Sequence, residues 1–215
     1  MGNEFMMIIV SFFMSAFLLF AGVSAYFTSK RSSSSSAPGA SGEGGVLSAA
    51  DAEAGATGVW KAATCTWFQS WPACCKGSPA YDSKASKTEC SDNSGCKYQG
   101  DFQTGRHLSF EQVKSTRLCA FYDIKQKDTW KGDKNPLWES QYRDKFIYIR
   151  KTGDAKSVMK VQILDTCKDS DCKTCCTKNA QKGGGYLIDL EWYTAQLFFK
   201  NPKPTDMSKI EWRFA

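Results

Sequence analysis

Apolar and polar residues divide the chain into three stretches of different rhythm. From Met6 to Phe27 the sequence runs 22 residues without a charge. As an α-helix that run is about 33 Å long, enough to cross a hydrocarbon core of about 30 Å. Five serines, Ser32 to Ser36, follow, and then Ala37-Pro38-Gly39-Ala40-Ser41-Gly42-Glu43-Gly44-Gly45. Such a composition buries no core and behaves as a flexible coil. Beyond it, short alternating segments separated by turn residues predict strands. These are Gly58–Phe68, Cys119–Ile124, Phe146–Arg150, Val158–Leu164, Tyr186–Leu190 and Ile210–Phe214. Thr152-Gly153-Asp154 marks a turn between the third and fourth. Glu191 to Phe198 has a helical pattern with Asp189 or a neighbour near its start, and Ser109 with Gln112 three residues on reads as a capping box.

This pattern gives three parts: an N-terminal anchor over 1–30, a Ser/Gly-rich linker over 31–47, and a domain over 48–215. The apolar run is expected to be a retained anchor rather than a signal peptide. Gly2-Asn3-Glu4-Phe5 holds no basic residue, and the run is long for a signal peptide. Val23-Ser24-Ala25 is the site at which a signal peptidase would cut, after Ala25. Tyr26 and Phe27 suit an interfacial aromatic belt, so residues 6–27 are assigned to the lipid bilayer as a single pass. Lys30 and Arg31 follow the span and Glu4 precedes it, which by the positive-inside rule puts the domain on the cytosolic side. The linker reaches roughly 20 Å, so the domain sits close to the membrane.

Charge excludes one class of partner. The net charge is +6, with 28 basic and 22 acidic residues scattered along the chain. Nucleic-acid binding calls for a dense basic stripe, so no nucleic acid is assigned. No cofactor motif is found. His107 is the chain's single histidine and reads as a structural or solvated residue.

All ten cysteines fall between residues 65 and 176: Cys65, Cys74, Cys75, Cys90, Cys96, Cys119, Cys167, Cys172, Cys175 and Cys176. An even number confined to one domain reads first as a disulfide framework. The vicinal pairs Cys74-Cys75 and Cys175-Cys176 are expected to send their links to different partners. Zinc is the rival reading for Cys167, Cys172, Cys175 and Cys176, but a second separate ligand knuckle is not evident, and no metal is assigned. Disulfides conflict with a cytosolic domain, because the cytosol keeps thiols reduced.

The order of elements resembles the double-psi β-barrel of expansins, barwin-like proteins, family-45 endoglucanases and rare-lipoprotein-A-like lytic enzymes. The resemblance rests on Val161-Gln162-Ile163-Leu164-Asp165-Thr166-Cys167, then Cys172, then Tyr186-Leu187-Ile188-Asp189-Leu190 and a helix. Thr64-Cys65-Thr66-Trp67-Phe68 is similar to the opening strand, and Met207 to Arg213 to the closing one. The resemblance implies a six-stranded double-psi β-barrel with short helices, so that, with the apolar run at 6–27, the chain is expected to be mainly β and preceded by a single transmembrane helix. In glycan-cleaving members an Asp at the position of Asp189 is the general acid, and one near Asp165 assists. Protonating a glycosidic oxygen requires a carboxylic acid of raised pKa. The family-45 base follows the first strand, where this chain has Trp67-Phe68-Gln69-Ser70-Trp71 and no carboxylate. Asp189 is alternatively a helix cap. Trp67, Trp71, Trp130 and Trp138 are candidate glycan or partner contacts, as is Trp192.

Two functions follow. The first is a membrane-anchored structural protein, such as a minor capsid component that links a protein shell to the internal membrane of a large icosahedral DNA virus. Its barrel would face the capsid and other capsid proteins. The alternative is an expansin-like or lytic-transglycosylase-like protein acting on cell-wall polysaccharide.

Overall fold

The computed structural model describes residues 58–87, 90, 94–201 and 208–215. The expected anchor at 6–27 and the linker at 31–47 lie outside the described residues. Among those described, no helix is long and apolar enough to cross a membrane.

Six strands close into a barrel. They are β1 (Lys61–Phe68), β2 (Leu118–Asp123), β3 (Phe146–Lys151), β4 (Met159–Asp165), β5 (Tyr186–Glu191) and β6 (Ser208–Phe214), hydrogen-bonded in the order β1-β5-β2-β4-β3-β6. The pairs β1–β5 and β2–β4 are parallel and the other four are antiparallel. Closure leaves no sheet edge unpaired. Five short helices decorate it: α1 (Ser94–Lys97), α2 (Phe110–Ser115), α3 (Pro136–Gln141), α4 (Cys175–Lys182) and α5 (Trp192–Phe199).

Period-2 alternation places the core. In β3 Ile147 and Ile149 are buried while Phe146 is exposed. They meet Val161, Ile163, Ile188, Leu190, Phe121 and Trp212 in the barrel interior. Burying side chains of this size contributes about 1.5–3 kcal/mol each. In β2 every residue is buried, because both its faces are covered. Cys119 and Phe121 point into the barrel, Leu118 packs outside with Phe102, Val113 and Leu164, and Tyr122 packs with Cys176, Ala180 and Leu187.

Helix ends follow the sequence closely. Ser109 caps α2 in the expected box with Gln112. Asn135 caps α3, with Pro136 in its first turn and its side chain accepting from the Trp138 N–H at 3.1 Å. Gly183, just after α4, comes so close to the backbone of Ala63 and Thr64 that a Cβ there would collide with it.

Eight of the ten cysteines are paired: Cys74–Cys90, Cys75–Cys96, Cys167–Cys176 and Cys172–Cys175. Neither vicinal pair bonds to itself. Cys65 and Cys119 correct the expectation of ten bridged cysteines, since both are free and fully buried. They occupy inward positions of β1 and β2, where a thiol packs as a small apolar group. Burial, reinforced by the negative charge of Asp189, pushes both thiols well up, so they stay protonated and unreactive.

Candidate functional site

One register row crosses four strands. Thr66 on β1 pairs with Asp189 on β5, Asp189 with Ala120 on β2, and Ala120 with Asp165 on β4. Asp189 and Asp165 are thus two strands apart, about 10 Å between Cα atoms at ordinary strand spacing. Both carboxylates act on the buried Cys119 between them.

Asp165 owes its position to an irregularity. Val161 and Ile163 point into the barrel, and strict alternation would send Asp165 after them. The pairing of β4 with β2 shifts by one residue between Cys119 and Ala120. A bulge of this kind re-aims the side chain that follows it. Asp165 then pairs with outward-facing Ala120 and lines a surface cleft.

That cleft has a volume of about 780 Å³. Tyr98, Phe102, Trp130, Asp133, Asp165 and Thr166 are among the residues that line it. Tyr98 is 53 % exposed. The Trp130 loop is held from beneath by a buried network. Thr129 Oγ1 donates to Asn135 Oδ1 at 2.9 Å, and Asn135 Nδ2 donates to the Gln126 carbonyl at 3.1 Å. From above, Lys168 donates to the Gly132 carbonyl at 3.1 Å and to Asp133 at 2.9 Å, with its ammonium over the Trp130 ring. Gln103, which also lines the cleft, donates its Nε2 to the Asp133 carbonyl at 2.6 Å. Of residues 125–140, Trp130 and Asp133 line the cleft, and it stays open.

Within the cleft Asp165 is the carboxyl set apart by its surroundings. Burial pushes it up to about 6, against the opposing effect of N–H bonds from Thr166 at 2.9 Å and Gln103 at 3.2 Å. At the rim Asp101 pairs with His107 at 2.8 Å, and Asp133 with Lys168.

The other sequence-derived residues are placed as follows. Asp189 accepts a 2.7 Å hydrogen bond from Thr66 Oγ1 and is not among the residues lining the cleft. It does not cap α5. Glu191 does, accepting from the Tyr193 N–H at 2.8 Å and from Ser70 Oγ at 3.1 Å. Glu191 is 1 % exposed, and burial raises it to about 7. Sequence reasoning missed it because the β5 strand runs one residue further than its apolar pattern suggests. Trp67 stacks edge-on against Trp192, and Trp71 donates its indole N–H to the Leu108 carbonyl at 3.2 Å. Trp138 is fully buried and offers no surface to a glycan or a partner. Of the five tryptophans assigned as contacts, Trp130 alone lines the cleft. Tyr98 and Phe102 were not anticipated, since nothing local in their sequence marks them as cleft lining.

No known protein family matches the chain, and no curated protein is similar to it. Among solved structures, it is similar to the β-1,4-D-endoglucanase Cel45A of the blue mussel Mytilus edulis, with 14 % identity and a TM-score of 0.41, over 73 % of this chain and 79 % of that one. It is also similar to the GH45 endoglucanase EG27II in complex with cellobiose. A substituted form gives 12 % identity and a TM-score of 0.41 over 72 % of this chain and 80 % of that one. A second complex at pH 8.0 gives 14 % and 0.39 over 72 % and 79 %. Likeness at this level carries no argument about chemistry, which rests on the residues themselves.

Proposed function

We propose that this barrel is of the double-psi kind and binds polysaccharide in the Tyr98–Trp130 cleft, acting on it as an expansin-like or lytic-transglycosylase-like protein. The observation that carries the reading is Asp165: a carboxyl raised to about 6 by burial, in an open cleft whose lining includes Tyr98, Phe102 and Trp130. Aromatic faces and edges suit the apolar faces of sugar rings, and a carboxylic acid that holds its proton near pH 6 suits the glycosidic oxygen. In the lytic form, Asp165 donates its proton to the departing oxygen and then takes one from the incoming hydroxyl. Asp101, Asp133 and Asp171 also line the cleft, Asp101 held by His107 and Asp133 by Lys168, and no carboxylate stands in residues 67–71, the place of the family-45 base, which favours single-acid chemistry over inverting hydrolysis of the family-45 kind.

A linker between a protein shell and a membrane rests on residues 6–27, outside the described residues, and nothing on the barrel favours it. The test of the polysaccharide reading is retention on a panel of insoluble wall polysaccharides. Wild type is expected to be retained by at least one of them, and Trp130→Ala to weaken retention about tenfold, equivalent to about 1.4 kcal/mol. Failure of wild type to bind any polysaccharide contradicts the reading, as does unchanged binding by both Trp130→Ala and Tyr98→Ala.

A further inference from the structure

Apart from the cleft, β4 and α4 bring Cys167, Cys172, Cys175 and Cys176 together. Their four sulfurs all lie within 4.8 Å of one another. Across the two disulfides, Cys172 Sγ and Cys176 Sγ approach to 3.6 Å. A tetrahedral four-thiolate zinc site, with Zn–S bonds of about 2.3 Å, has sulfur–sulfur edges of about 3.8 Å. The unbonded sulfur–sulfur distances, none above 4.8 Å, are therefore close to those of a zinc site.

The backbone is shaped for the same purpose. Cys172-Lys173-Thr174-Cys175 has the spacing of a zinc knuckle, and both intervening residues have positive φ, 52° and 70°. Cys175 and Cys176 open α4, and Cys176 is fully buried while the other three are half-buried. Hydrogen bonds hold this arrangement independently of sulfur. Asp169 accepts from the Thr177 N–H at 2.9 Å and from the Thr177 hydroxyl, which in turn meets the Tyr122 hydroxyl at 2.7 Å. Cutting both disulfides leaves the loop tied to the helix.

We propose that these four cysteines form a redox-convertible metal site, two disulfides when oxidised and a zinc tetrathiolate when reduced. Two equivalents of a phosphine supply four electrons to cleave the Cys167–Cys176 and Cys172–Cys175 bonds; each phosphine takes the oxygen of one water as phosphine oxide, and the two waters' four protons complete the four thiols. Binding of Zn²⁺ then releases four protons, leaving a four-thiolate complex of charge −2. Such a site itself is compatible with either redox compartment. The other cluster, Cys74, Cys75 and Cys90, brings together three sulfurs rather than four.

The test uses the full chain, reduced anaerobically with a phosphine and titrated with zinc against a chromophoric chelator. Wild type is expected to take up one more zinc than Cys172→Ser/Cys175→Ser. Because that variant can fail to fold, a second measurement uses wild type alone: cysteine alkylation with and without zinc, mapped by mass spectrometry. Zinc is expected to slow alkylation of Cys167, Cys172, Cys175 and Cys176 at least tenfold. Equal uptake by variant and wild type overturns the proposal, as does equal alkylation of these four with and without zinc.

Discussion

Asp165 and Asp189 stand in one register row, two strands apart, and each ends a short apolar run. Their surroundings separate them. Asp189 sits in regular pairing and is held by the Thr66 hydroxyl. Asp165 follows a shift in pairing, takes two backbone N–H bonds and lines an open cleft, where burial raises it to about 6. The motif gives the leading role to Asp189, whereas the function proposed above gives it to Asp165. Equivalent spacing along a sheet is therefore not equivalent chemistry. A one-residue slip decides which carboxyl meets the cleft.

Several substitutions break or sharpen that contrast. The largest effect is expected for Leu164→Ala. Leu164 anchors the shifted segment in an outer core with Phe102, Val113 and Leu118. Its truncation should cost about 2–5 kcal/mol in denaturant unfolding. A cost below about 1 kcal/mol would show that the bulge is not held by this packing.

Next comes pH dependence. Glu191 moves from an ordinary 4.5 to about 7 in the folded protein, and Asp165 from 3.8 to about 6. Across these windows the native state binds protons that the unfolded chain has released, so stability falls as pH rises from about 4 to about 7. Glu191→Gln, which stays neutral, should remove on the order of 3 kcal/mol of that loss. Thermal unfolding at several pH values checks this. A parallel slope in the variant would mean that burial does not shift Glu191. The smallest effect is expected for Thr66→Val, which removes the hydroxyl that Asp189 accepts. Stability should fall by about 1 kcal/mol, and the chemistry at Asp165 should be unaffected.

Much of the barrel is legible in the sequence, because each strand carries its own period-2 signal and closure follows from pairing those segments. Phe146–Arg150 and Tyr186–Leu190 were each read to within one residue of the strand that forms. Helix α4 was hidden because Cys175-Cys176-Thr177-Lys178 read as a linkage site rather than as a first turn. Helix α3 was missed although Asn135-Pro136 is a recognisable helix start. The free state of Cys65 and Cys119 was available from alternation, since both fall at apolar positions of strands. The bulge left a fainter trace: Ile163-Leu164 breaks the alternation just before Asp165. The cleft itself left none, because Tyr98, Trp130 and Asp165 are brought together by contacts between residues 30 or more apart, such as Gln103 to Asp133.

The central claim is that Asp165, rather than Asp189, is the acid of a polysaccharide cleft. Release of new chain ends from a retained polysaccharide, measured against pH for wild type, Asp165→Asn and Asp189→Asn, tests it most directly. Wild-type release should fall as pH rises through about 6, Asp165→Asn should lose about 100- to 10,000-fold, and Asp189→Asn less than tenfold. Equal release by Asp165→Asn and wild type, or a loss confined to Asp189→Asn, contradicts the account.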